Sequence, residues 1–323
     1  MSLVLWIGAI TQGVCFAFLG WGIYVSLRVL GFADITVDGS FTLGAAVAAI
    51  LLVQGVHPLL ALLAAIACGA LAGVVTGLIH TRLGIGDLLS GILTMTALYS
   101  ITLHVMGRAN VSLLRAQTLI TWLQDAGLAW SEDAVALLIF SLLAVLGWLG
   151  LYWFLRTDFG LALRATGNNP AMITALGVDT RTMKLAGLAL ANGLVGLAGA
   201  LIAQYQGFAD VGMGIGSLVA GIAAVIIGET LLGNRSLVWV LAGVAAGSIV
   251  FRLVIAVALQ VGLNPLDLKL ITAVFVLLAL ALPRLRGTTF GTRLASRLGR
   301  SRTRVVRNRA ASGEDSAAGR KTA

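Results

Sequence analysis

Few side chains in this sequence could do chemistry, and their spacing narrows what that chemistry is. Within long apolar runs stand Gln12, Asp87, Ser90, Thr94, Thr96, His104, Asn192, Gln204, Glu229 and Arg252. Polar groups so placed are costly in lipid and face a cavity or a partner helix. Asp87, Ser90 and Thr94 recur at spacings of three and four, which puts them on one helix face. With Gln12, Asn192 and Glu229 they are the candidates for lining a solute path. Each carries a plainer alternative. Asn192 and Gln204 suit interhelical hydrogen bonds, Glu229 could pair with nearby Arg235, and Arg252 could snorkel or pair with Asp267 or Glu229. No acid–base pair, Ser–His–Asp arrangement or metal-ligand spacing occurs, and His57, His80 and His104 stand apart. Gly212, Gly214 and Gly216 alternate as in a phosphate loop, but no Gly-Lys-Ser/Thr follows, so they are expected to mark a broken or re-entrant helix. The chain is not expected to be an enzyme, to bind a metal or to hold a cofactor of its own.

The most sharply punctuated polar stretch is Thr157 to Val178, TDFGLALRATGNNPAMITALGV. Asn168 and Asn169 suit the N-cap of a short helix, and Pro170 suits its first turn, where a missing N–H costs nothing. Gly177 suits the left-handed residue that ends one. A capped helix of about two turns between apolar segments reads as a docking element for a soluble partner. A connecting loop with a chance helical turn is the plain alternative.

The elements that must carry these residues are set by composition. Hydrophobic residues make up 59% of the chain and charged residues 11%, with a mean hydropathy of +0.99, which describes a polytopic membrane protein. Nine apolar segments, near 3–30, 39–56, 58–80, 86–106, 132–156, 182–206, 214–232, 236–260 and 267–283, each approach the ~20 residues that cross a bilayer. The expected fold is all-α, with about nine (eight to ten) transmembrane helices. Residues 1–283 form the membrane domain, in which 11 basic and 11 acidic side chains cancel. Residues 284–323 carry 11 basic and 2 acidic side chains and read as a disordered cytoplasmic tail that touches anionic lipid. An Arg-rich tail also suggests nucleic acid, but no recognition fold accompanies it, so no nucleic-acid partner is expected. Counted back from a cytoplasmic C-terminus, most basic residues fall on one side and the N-terminus lies outside. No cleavable leader is expected, since a basic start is lacking and the first apolar run is too long.

Forty glycines are the other signal. Gly69, Gly73 and Gly77, like Gly243 and Gly247, recur every four residues and are expected to let helix backbones approach closely. Cys15 and Cys68 lie in apolar segments and read as small packing residues.

The run Thr157–Pro170, followed by Ala175-Leu176-Gly177-Val178, closely resembles permeases of ATP-binding-cassette importers, in particular the ribose and branched-chain amino-acid permease superfamily. Asp34–Ser40, Gly193–Gly199 and Gly221–Glu229 agree with its landmarks in order and spacing, with Glu229 in place of a second glycine. Within it, residues 87–110 are most similar to permeases assigned to tryptophan or tyrosine transport.

The resemblance implies a permease in a bacterial inner membrane, paired with a second copy or a homologue, two ATPase subunits and an extracytoplasmic binding protein. Gly167, Asn168, Asn169, Pro170, Ala171, Met172, Ala175, Leu176 and Gly177 would form the coupling helix, with ATP and Mg held by the ATPase. The solute would be an amino acid, with sugars or nucleosides as alternatives. A rival of another class, a secondary transporter without an ATPase, should show mid-membrane ionisable residues and inverted repeats. A membrane scaffold would not need the capped helix.

Overall fold

A computed structural model describes residues 3–125, 131–233, 236–261, 270, 272–274 and 276–277. Helix α1 (Leu3–Ile23) continues into a wider π-helical turn at Tyr24–Val29. Then come α2 (Thr36–Val53), α3 (Pro58–Leu83), α4 (Asp87–Met106), strand β1 (Asn110–Ser112), α5 (Leu119–Asp125) and α6 (Glu132–Phe154). Two short helices, α7 (Asp158–Asn168) and α8 (Pro170–Ala175), precede α9 (Thr180–Gln206). Strand β2 (Phe208–Asp210), α10 (Ser217–Leu232) and α11 (Leu237–Gln260) complete the described elements.

Seven of these helices are long and apolar enough to cross a membrane, and α10 is a shorter apolar helix. The expected segment at 267–283 and the tail 284–323 lie almost wholly outside the described residues, so a count of nine is not reached among them. Within the membrane there is no water to satisfy backbone groups, which is why the chain is nearly all helix. The exceptions sit at the bundle's ends, or are buried where helices break.

The chain's long helices run between two ends. At one end β1 and β2 pair antiparallel, with Val111 opposite Ala209, and α5 lies beside them, tied by the N–H of Leu119 to Gln204 Oε1 at 2.9 Å. At the other end lie α7 and α8. The core is the close packing of α9 against α1, α2 and α3. Gly69, Gly73 and Gly77 face α9, and a Cβ on Gly73 would collide with the carbonyl of Leu188. Gly243 and Gly247 likewise press on Gly228 and Ala224 of α10. Both stripes therefore do what small residues at that spacing do in lipid. Cys15 is fully buried in this packing and Cys68 half-buried, neither in a disulfide.

The glycine-rich stretch before α10 is a run of turns at 211–216, and Gly216 takes a left-handed φ of +89° before α10 begins at Ser217. The three glycines lie in turns between β2 and α10 and interrupt no helix.

Candidate functional site

Two regions hold the polar groups, and they are built differently. The first is the α7–α8 projection. The side-chain oxygen of Thr157 caps α7, accepting from the N–H of Gly160 at 3.2 Å. Leu163 and Thr166 are buried beneath α7, and Gly167 rests directly on the carbonyl of Val29, where no Cβ would fit. Two short helices stand here in place of the one expected, because Thr157 caps α7 as Asn169 caps α8. Asn168 ends α7, while Asn169 caps α8 by accepting from the N–H of Met172 at 3.1 Å. Pro170 occupies the first turn of α8. Gly177 leaves with φ +84°, and the N–H of Val178 returns to the carbonyl of Ile173 at 3.2 Å, closing the helix end.

This geometry decides which side chains face out. Ile173 is buried and anchors α8, whereas Met172 and Leu176, four residues apart, are 51% and 69% exposed. A short helix capped at both ends thus carries an exposed apolar pair, flanked by Ala171 and Ala175, also exposed. Beyond it Asp179 caps α9, with the hydroxyl of Thr182 at 2.6 Å and the N–H of Arg181 at 3.0 Å. Those two donors hold its carboxyl below the usual carboxylate range.

The second region is buried where α2 starts. Asp34 is 3% exposed, and its carboxylate accepts from the N–H of Thr36 at 2.9 Å and from Asn192 Nδ2 at 2.6 Å. Asn192 Oδ1 accepts from the Ser40 hydroxyl at 2.7 Å, and Thr36 meets Thr76 at 2.7 Å. One turn on, the Asp38 carboxylate caps α10 across the bundle. It accepts from the N–H of Leu218 at 2.7 Å, the hydroxyl of Ser217 at 2.9 Å and the N–H of Gly216 at 3.1 Å. Two helices therefore start near one another, each with a carboxylate on its orphan N–H groups. A hollow of about 30 Å³ beside Asp38, reached by Thr42, Tyr99 and Thr102, has room for one water, and the buried Thr102 hydroxyl has no hydrogen-bond partner among the described residues.

The six path candidates do not converge. Ser90 and Thr94 are buried, and their hydroxyls return to their own helix, on the carbonyls of Asp87 at 2.8 Å and Ser90 at 3.0 Å. Asn192 serves the Asp34 cluster. Glu229 pairs with Arg28 at the end of α1; Arg235 lies outside the described residues. Gln12 faces Arg252 at 3.5 Å, and that cation is paired with neither Glu229 nor, among the described residues, any other acid. The outward face of α4 instead carries Thr96, Tyr99, Ser100 and His104, all exposed on a membrane-length helix. Gly91 packs on Ile35 and turns Ser90 and Thr94 inward, toward α2. Asp34 and Asp38 had no assigned role in the sequence, although an acid two residues before Thr36 is a local capping signal.

Compared with known families, residues 5–281 match one described as the branched-chain amino acid transport system permease component. The chain belongs to that family. This permease is the membrane component of an ATP-binding-cassette transporter. It is 39% identical over 275 residues to a tyrosine transport system permease protein of Clostridioides difficile, covering 85% of this chain and 90% of the relative. An uncharacterized protein of Rickettsia prowazekii is 33% identical, with 85% and 96% covered. A solved structure of an ABC transporter in an inward-facing conformation aligns at 16% identity and TM-score 0.48, over 88% of this chain and 84% of that one.

Proposed function

We propose that this permease imports an amino acid and that α8 is its coupling helix. The observation that carries the reading is the exposed Met172–Leu176 pair on a helix closed at both ends and anchored by Ile173. Outside the membrane an apolar pair on a rigid knob costs solvation unless a partner covers it. The partner is an ATPase subunit that itself holds ATP and Mg, so the permease does no catalysis. Two permease copies, two ATPases and an extracytoplasmic binding protein make up the working transporter.

The α8 end is then cytoplasmic, together with the C-terminus, and the β1–β2 end faces outward where the binding protein delivers. Gly167 on Val29 joins α7 to the end of α1, so movement of α8 reaches the bundle through backbone contact. The exposed hydroxyls, phenol and imidazole of α4 offer one polar face to the solute path. The Clostridioides relative's name makes tyrosine the first solute to try. The basic tail rests on anionic headgroups.

Reconstituted with its ATPase and binding protein, the wild-type permease should take up labelled L-tyrosine only with ATP. Pro170→Asp and Leu176→Glu should abolish that uptake while membrane insertion continues. Uptake unchanged in both variants would remove the coupling role from α8.

A further inference from the structure

We propose that Arg252 and the cavity in front of it form a carboxylate-recognising site for the transported solute, an inference that rests on the amino-acid reading above. The cavity measures about 280 Å³ and lies between α1, α10, α11 and residues 272–273, with Phe16, Ser217 and Ile255 in its wall. Another hollow, about 370 Å³ between α1, α6 and α11, has walls of Ala, Val and Ile with two tryptophans and one serine, and no ionic group. Only the first offers a charge.

Arg252 stands eight residues before the end of α11, about 12 Å of helix from that terminus. It does not extend toward that end. Its guanidinium lies 3.6 Å from the centroid of the Phe16 ring, and one terminal nitrogen makes a stretched 3.5 Å contact with Gln12 Oε1. Its buried Nε has no hydrogen-bond partner among the described residues. A guanidinium presents five donors in a planar fork suited to a carboxylate, and among the described residues only Gln12 accepts from it. A charge within a membrane helix is costly, and with no acid beside it among the described residues (Asp267 lies outside them) this cation suits an anion that visits.

The surroundings favour an anion. Gly216 and Ser217, at the N-terminus of α10, line the cavity, and that helix end carries a partial positive charge. Asp38 neutralises part of it, which leaves Arg252 as the principal cation. Phe16 fixes the plane of the guanidinium, so its fork is oriented before a ligand arrives. An amino acid's carboxylate would take the fork, and its side chain the apolar wall. A lipid headgroup or free fatty acid offers the same chemistry, and the test separates these sources.

The experiment uses the whole transporter in vesicles of neutral phosphatidylcholine, and again with phosphatidylglycerol added. Arg252→Gln should lower L-tyrosine uptake about tenfold or more, the loss of one charge-assisted pair, and Arg252→Lys should restore part of it. Co-purification of the ATPase with each variant checks assembly. Independently, Ile255→Cys should be labelled by a maleimide from within the cavity. L-Tyrosine should slow that labelling, whereas tyramine, which lacks only the carboxylate, should not.

Uptake by Arg252→Gln equal to wild type would overturn the proposal, as would equal protection by tyramine. Protection that appears only with phosphatidylglycerol, or with added fatty acid, would assign the site to lipid and overturn it too. If Arg252→Gln does not assemble, Arg252→Lys and the labelling arm still decide. A wild-type transporter that takes up no amino acid would instead remove the functional reading on which this site depends.

Discussion

The α8 projection and the α2–α10 junction use the same device for opposite ends. In each, a side-chain oxygen satisfies the orphan N–H groups at a helix start. At α8 the cap is Asn169, one residue before the helix, and the result is a knob anchored by Ile173 with Met172 and Leu176 exposed. At α10 the cap is Asp38, which lies 178 residues away from Gly216, and the result is two helices locked together inside the bundle. The comparison teaches that capping chemistry alone does not tell a lever from a joint, since the local Asp179 cap starts the core helix α9.

The sharpest break of that contrast is Asp38→Ala. It strips two backbone N–H groups and a hydroxyl of a charged acceptor in a half-buried place, and should cost about 3 kcal/mol. A thermal melt in detergent reads it, and a melting temperature equal to wild type would mean the junction is not a joint. Asn192→Leu comes next. It leaves the buried Asp34 carboxylate without its amide donor and Ser40 without its acceptor, at about 2 kcal/mol in the same melt.

On the other side of the comparison, Asn169→Ala should cost about 1 kcal/mol locally. The global melt should move little, since α8 is exposed, while uptake falls because the knob is no longer held in one geometry. Uptake at the wild-type level would show that α8 needs no preset shape.

The smallest effect is pH-dependent. Asp179 has its carboxyl depressed by Thr182 and Arg181, so its cap on α9 is present above the ordinary carboxylate pKa, about 3.9, and is lost as pH falls through the lower folded value. Amide exchange of Arg181 should rise in that acid window, and Asp179→Asn should flatten the rise. An unchanged exchange profile in the variant would place the protection elsewhere.

Much of this was legible before any coordinates. Length and hydropathy located the apolar segments, because a bilayer demands a minimum apolar run whatever the fold. The α8 ends were legible because Asn169, Pro170 and Gly177 act within four residues of the groups they satisfy. Glycine spacing announced close packing but not its partner. That Gly73 meets Leu188 depends on how α3 crosses α9. The surroundings of the path candidates were hidden for the same reason. Asp87, Ser90 and Thr94 do share a face, but only the contact of Gly91 with Ile35 shows that the face turns inward.

What the sequence determined alone, then, is each event confined to a few neighbouring residues: apolar runs of membrane length and the ends of helices. What tertiary structure decided is every pairing that spans the chain, including Asp38 with α10, Asn192 with Asp34, Glu229 with Arg28, and an arginine in α11 left without an acid among the described residues. The physical reason is that capping and hydropathy act over one or two turns of helix. Burial and charge pairing depend instead on which helices meet, and no single segment contains that information.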